Sequence, residues 1–139
     1  MKRDNLEARL WGRIRRMRRN VFLRADFTDL GGYDQVGRAL NGLVRKGKLL
    51  RVGQGIYARA KTSKLSGKLV PVEGLGTLRE ALERVGIEPV PTQLERDYEA
   101  GRTTQVPTGR VVGVRTRVRR KIGYGSVQLG FERAEQAPR

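Results

Sequence analysis

Apolar residues recur at helical spacing from near the start of the chain. Leu6, Leu10, Ile14 and Met17 fall on one face at 3.6 residues per turn, with Arg9, Arg15, Arg16 and Arg19 off that face. Asp4 or Asn5 is placed to cap this helix. Val21-Phe22-Leu23 is short and β-like, Asp26 suits the N-cap of a brief helix through Leu30, and Gly31-Gly32 ends it. From Tyr33 to Lys46 the pattern is clearest: Val36, Leu40, Leu43 and Val44 form an apolar stripe. Gly47 comes next as the natural terminator, and Arg45 and Lys46 complement the negative end of the helix dipole. Two short strands are expected at 48–52 and 56–58, joined through Gly53-Gln54-Gly55 as a tight hairpin.

Helix, short helix, longer helix and two-stranded hairpin is the order of a winged helix-turn-helix. The expected fold class is therefore α+β: a winged helix-turn-helix over residues 1–60, a linker at 61–72 rich in Lys, Ser and Gly, and a small α+β domain at 73–134. In that second part a helix is expected from about Gly76 or Thr77 to Val85, where Thr77 and Glu80 have capping-box spacing. Leu94 to Ala100 suits a short helix. Val111 to Val118 and Ser126 to Phe131 suit two or three strands, and the residues from Ala134 to Arg139 are expected to fray.

Charge sharpens this outline. The 139 residues carry 30 Lys and Arg against 14 Asp and Glu, a net charge of +16. The excess is concentrated in residues 1–61 and 108–139, around a near-neutral middle. Such a surplus repels itself unless a polyanion offsets it, and nucleic acid is the commonest one. With no Cys and no His, the chain offers no disulfide, no zinc site of the usual N/S type, no Cys nucleophile and no His base. No metal, cofactor or enzymatic activity is expected, and a cytoplasmic location fits the lack of Cys. No apolar run is long enough to cross a membrane, and the basic start, Met1-Lys2-Arg3-Asp4, leads into no apolar segment of a signal peptide.

The candidate site is set by the residue types on the helix that starts at Tyr33. Opposite its apolar stripe lie Asp34, Gln35, Arg38, Asn41, Gly42 and Arg45. Arg pairs with guanine O6/N7 and Asn or Gln with adenine N6/N7 in the major groove, and Gly42 would leave room for close approach to a duplex. A solvated polar face, which every amphipathic helix has, is the plainer account. Arg51, Gln54, Arg59 and Lys61 lie on or after the hairpin, where a wing touches phosphate; edge-strand charge that discourages pairing is the alternative. Arg13, Arg15, Arg16 and Arg19 are candidates for phosphate contacts from the first helix. Arg117, Arg119, Arg120 and Lys121 form a second basic cluster that could extend a DNA footprint or face an acidic partner. Residues 53–58 formally match G-x-G-x-x-A, but a β-like Ile-Tyr-Ala stands in place of the helix a dinucleotide site needs. Glu80, Glu83, Glu95, Asp97 and Glu99 read most simply as solvated helix faces, and Trp11 as packing.

The segment Val36-Gly37-Arg38-Ala39-Leu40-Asn41-Gly42-Leu43, with Gly47-Lys48-Leu49-Leu50-Arg51-Val52-Gly53-Gln54-Gly55-Ile56-Tyr57, resembles the winged-helix domain of AbiEi-type antitoxins. These belong to abortive-infection type IV toxin–antitoxin systems, and stand-alone transcriptional regulators share the domain. Val21-Phe22 and Asp26-Phe27 resemble a further family segment. Thr104-Gln105-Val106-Pro107 and Arg119-Arg120-Lys121-Ile122-Gly123 are similar to parts of the domain on the C-terminal side of the family's winged helix. The resemblance implies a repressor that binds double-stranded DNA, at an inverted repeat near its own promoter, with a nucleotidyltransferase-like toxin as partner. Many such antitoxins have a larger second domain, so the resemblance supports DNA binding better than toxin neutralisation. A protein acting mainly on a toxin, or an RNA- or ribosome-associated protein, is the alternative.

Overall fold

A computed structural model describes residues 5–134; the N-terminal reading at residues 1–4 and the fraying expected at 135–139 lie outside them. The architecture is α+β. Helix α1 runs Leu6–Arg16, with the Asn5 side chain accepting from Ala8 N at 2.7 Å. Strand β1 (Val21–Leu23) leads into a 3-10 turn at Arg24–Phe27, and helix α2 runs Tyr33–Arg45. The short helix thus begins earlier than the expected cap at Asp26. That carboxylate sits inside the turn and accepts the N–H of Leu23 at 2.9 Å. Just past the end of α2 stands Gly47, whose φ of 76° is the left-handed conformation glycine adopts freely.

Strands β2 (Leu49–Gly53) and β3 (Ile56–Thr62) form the hairpin around Gln54-Gly55. The central strand is β3. It pairs antiparallel with β2 on one side, and with β1 and then β4 (Leu69–Pro71) at successive positions along its length. The segment expected to be a linker at 61–72 is therefore a second hairpin. Lys61 pairs with Val70 and Thr62 with Leu69, and Ser63 closes the tip by accepting N–H groups of Leu65 and Ser66. Its Ser, Gly and Lys content marks a β-turn, which shares that composition with a linker.

Alternation along these strands builds two cores. Phe22, Leu49 and Tyr57 face one way, and pack with Leu10 and Ile14 of α1, Val36, Leu40 and Leu43 of α2, and Phe27. Val21, Val52, Ile56 and Ala58 face the other way. They are covered by α3 (Leu75–Arg84), through Leu78, Ala81 and Leu82, and by Val112, Val114, Ile122 and Leu129 from farther on. The sheet is thus a middle layer. Residues 73–134 complete a core that begins in residues 1–60, across the boundary expected from the sequence.

The remaining elements are α4 (Gln93–Glu99), β5 (Val111–Val114), β6 (Gly123–Tyr124), β7 (Val127–Gln128) and β8 (Gly130–Arg133). β5 and β8 are parallel, and β6 and β7 form a hairpin between them. The capping box in this half is not at Thr77 and Glu80, for α3 already begins at Leu75. It is at Thr92 and Glu95, where each side chain accepts the other's N–H. Glu80 instead accepts the N–H groups of Asn20 and Val21 at 2.8 and 2.9 Å, which ties α3 to the start of β1. Arg84, also on α3, pairs with Asp26, and Arg19 lies 3.6 Å from the same carboxylate. These two acids hold the halves of the chain together.

Candidate nucleic-acid interface

The apolar stripe of α2 is spent on the first core, so its other side is left to solvent. Asp34, Gln35, Arg38 and Arg45 are exposed there. Gln35 also caps its own helix, accepting the N–H of Gly32 at 3.2 Å. Two residues assigned to this face are turned elsewhere. Gly42 is buried, and a Cβ built on it would lie 3.0 Å from Glu7 Oε1, so its lack of a side chain serves the approach of α1 rather than of a duplex. Asn41 is half-buried and accepts the Tyr57 hydroxyl hydrogen bond at 3.1 Å. At 3.6 residues per turn these two positions border the stripe, and helical angle alone does not show which neighbour they meet.

The hairpin residues also divide. Arg51, Gln54 and Lys61 are exposed. Arg59 points inward, against the expectation of a wing contact. Its guanidinium lies 5.5 Å from the Phe22 ring centre and donates to the carbonyls of Ile14, Met17 and Arg19 at 2.9–3.0 Å and to Asn20 at 3.2 Å. The Ile14 carbonyl, in the last turn of α1, also accepts the Met17 N–H; Arg59 adds a second donor there and supplies donors to the carbonyls of Met17 and Arg19 just past the helix. Of the arginines assigned to phosphate on and after α1, Arg15 and Arg16 are exposed and unobstructed by any ion pair among the described residues. Arg13 is engaged in a two-pronged pair with Asp29 at 3.1 and 2.7 Å. That hydrogen bond holds the Asp29 carboxyl below the usual range and raises the guanidinium pKa.

The fold brings together what the sequence holds far apart. Arg24, Arg51, Arg119, Arg120 and Lys121 line one groove of about 860 Å³, and among the described residues no carboxylate lines it. Tyr33, at the start of α2, and Gln54-Gly55, at the hairpin tip, complete its walls. Arg24 stacks over the Tyr33 ring at 4.9 Å, and its Nε is buried without a hydrogen-bond partner among the described residues. Tyr33 itself is 62% exposed. The segment Arg119-Arg120-Lys121 is held by half-buried Val118 before it and buried Ile122 after it, so all three cations project outward. It sits close to the hairpin: a Cβ at Gly53 would lie 3.0 Å from the Lys121 carbonyl oxygen. Arg117 is exposed but is not among the groove's lining residues.

Arg24 and Tyr33 were missed by the sequence reading. One lies in a non-helical turn and the other opens a helix, so no periodicity joins them. The acids of the middle region do not assemble into a site: Glu80 and Glu95 are spent on backbone N–H groups, and Asp97 on Gln93 and Arg102. The hydrogen bond from Gln93, then that from Arg102, holds the Asp97 carboxyl below its ordinary range. Among the described residues no group of three or more His, Cys, Asp and Glu is placed to hold a metal ion, and no helix is long and apolar enough to cross a membrane.

One family model matches residues 10–138, and its description is a family of unknown function, DUF6088. No curated protein and no solved structure matches the chain.

Proposed function

We propose that this chain, which belongs to the DUF6088 family, is a sequence-specific double-stranded DNA-binding protein that uses α2 as a recognition helix. The order α1, 3-10 turn, α2, β2–β3 hairpin supports a winged helix-turn-helix reading. The observation that carries the proposal is the exposed polar face of α2 beside a groove lined by cations alone among its charged residues.

In this reading α2 lies in the major groove. Arg38 offers a planar pair of donors to guanine, and Gln35 offers its amide to adenine. Arg15 and Arg16 lie on backbone phosphates, where each contact adds affinity without sequence preference. Asn41, whose Oδ1 accepts from Tyr57, and buried Gly42 carry no weight in this reading. Occupation of a site near its own promoter would make the protein an autorepressor, the role its resemblance to AbiEi-type regulators implies; neutralising a toxin would be a separate activity.

Selection of bound duplexes from a randomised pool tests the proposal and is expected to return a recurrent sequence. Arg38→Ala should then cost about 1–3 kcal/mol on that sequence and little on random duplex. A pool from which no sequence is enriched, or a structured RNA that outcompetes duplex DNA at moderate salt, overturns it.

A further inference from the structure

We propose that the phosphodiester backbone of one DNA strand lies in the groove between the β2–β3 turn and the Arg119–Lys121 segment, so that the second half of the chain forms part of the DNA interface. This rests on the duplex-binding reading and adds where the strand runs and what holds it.

The groove is built to hold charge rather than to read bases. Four of its five cations are arginines, whose planar forks match phosphate oxygens in pairs. They come from three separate segments of the chain, and no carboxylate among the described residues offsets them. Five like charges around one groove repel one another until an anion enters. Arg24 is the most constrained of them, with its Nε buried and unpaired. An approaching phosphate would compensate that desolvated cation. Tyr33 is the one aromatic among the described lining residues, and Arg24 is already stacked on its ring, which suits a backbone better than a nucleobase pocket. Tyr33 also opens α2, so a strand in the groove leads onto the exposed face of that helix.

The second wall does not depend on a flexible arm. Val118 and Ile122 fix Arg119-Arg120-Lys121 to the same core that carries Val52 and Ile56 of the hairpin. The close seat of the Lys121 carbonyl at Gly53 sets the separation of the walls.

The test compares two double variants of the full chain that remove equal charge: Arg119→Ala/Arg120→Ala in the groove, and Lys64→Ala/Lys68→Ala at the exposed tip of the β3–β4 hairpin. Affinity for a selected duplex and for a random duplex is measured against KCl concentration. The groove variant should flatten the slope of log K against log salt by about 0.9 for each lost phosphate contact, hence by up to about 1.8, on both duplexes. The hairpin-tip variant should leave the slope near that of the unaltered protein. If the unaltered protein binds duplex and the two variants have the same slope, the groove assignment falls while the function stands. If the groove variant loses only the selected sequence, it reads bases and the backbone assignment falls. If the unaltered protein binds no duplex, both readings fall.

Discussion

Arg59 shows how one side chain can be claimed by the fold before it is available to a ligand. It lies on the second strand of a hairpin, it is cationic, and its position in the sequence suits a wing. Strand alternation places it on the same face as Tyr57, over Phe22 and beneath the end of α1, where it reaches the carbonyls of Ile14, Met17 and Arg19. Arg59→Ala should cost about 1.5–3 kcal/mol in urea unfolding, the range for hydrogen bonds to a charged group. Arg59→Lys should recover little, because an ammonium cannot span the same carbonyls as a planar fork. Duplex affinity of the folded variant should be unchanged; a loss of affinity at unaltered stability would return Arg59 to the interface. Asn41 and Gly42 teach the same lesson. The sequence shows the type of side chain and its helical angle, but whether Asn41 meets water or the Tyr57 hydroxyl depends on a strand sixteen residues away.

Elements with strong internal periodicity were legible, as α1, α2 and the β2–β3 hairpin show. Those defined by tertiary partners were not. The β3–β4 hairpin was hidden because β3 continues past Ala58 through Arg59, Ala60 and Lys61, a stretch with no large apolar residue and a composition that resembles a linker. The role of α3 was hidden for a related reason. Its apolar stripe was visible, but Glu80 looked like surface charge, and only its distance to the N–H groups of Asn20 and Val21 identifies it as a dock. Glu80→Ala leaves both N–H groups without their acceptor and should destabilise the chain by about 1–3 kcal/mol, read by thermal or urea unfolding. An unchanged midpoint would mean that water replaces the carboxylate at no cost, and that packing alone seats α3 on β1.

For the whole molecule, the sheet's position between two apolar layers matters more than the boundary expected near residue 60. Removing residues 73–134 would uncover Val21, Val52 and Ile56, each worth about 1.5–3 kcal/mol of burial, against a total of about 5–15 kcal/mol for an ordinary domain. The chain should therefore unfold as one unit. Fluorescence of Trp11, packed on the first core, and NMR intensity of Val112 and Ile122, in the second, should lose their native signals at the same urea concentration. Separated midpoints would restore two independent domains. The basic groove was beyond the reach of the sequence for the same reason: Arg119 joins Arg24 and Arg51 only because the second half closes over the sheet.

The two-sided sheet also limits how such a chain can diverge. Each strand residue that faces the second core is matched by a complement supplied from the chain after residue 73, so exchanging either half with a distant relative would mismatch Val21, Val52, Ile56 and Ala58 with their cover. Recombination inside this molecule is thereby disfavoured, and the two halves are expected to accumulate substitutions as a pair, with the tip at 63–68 as the natural place for length variation.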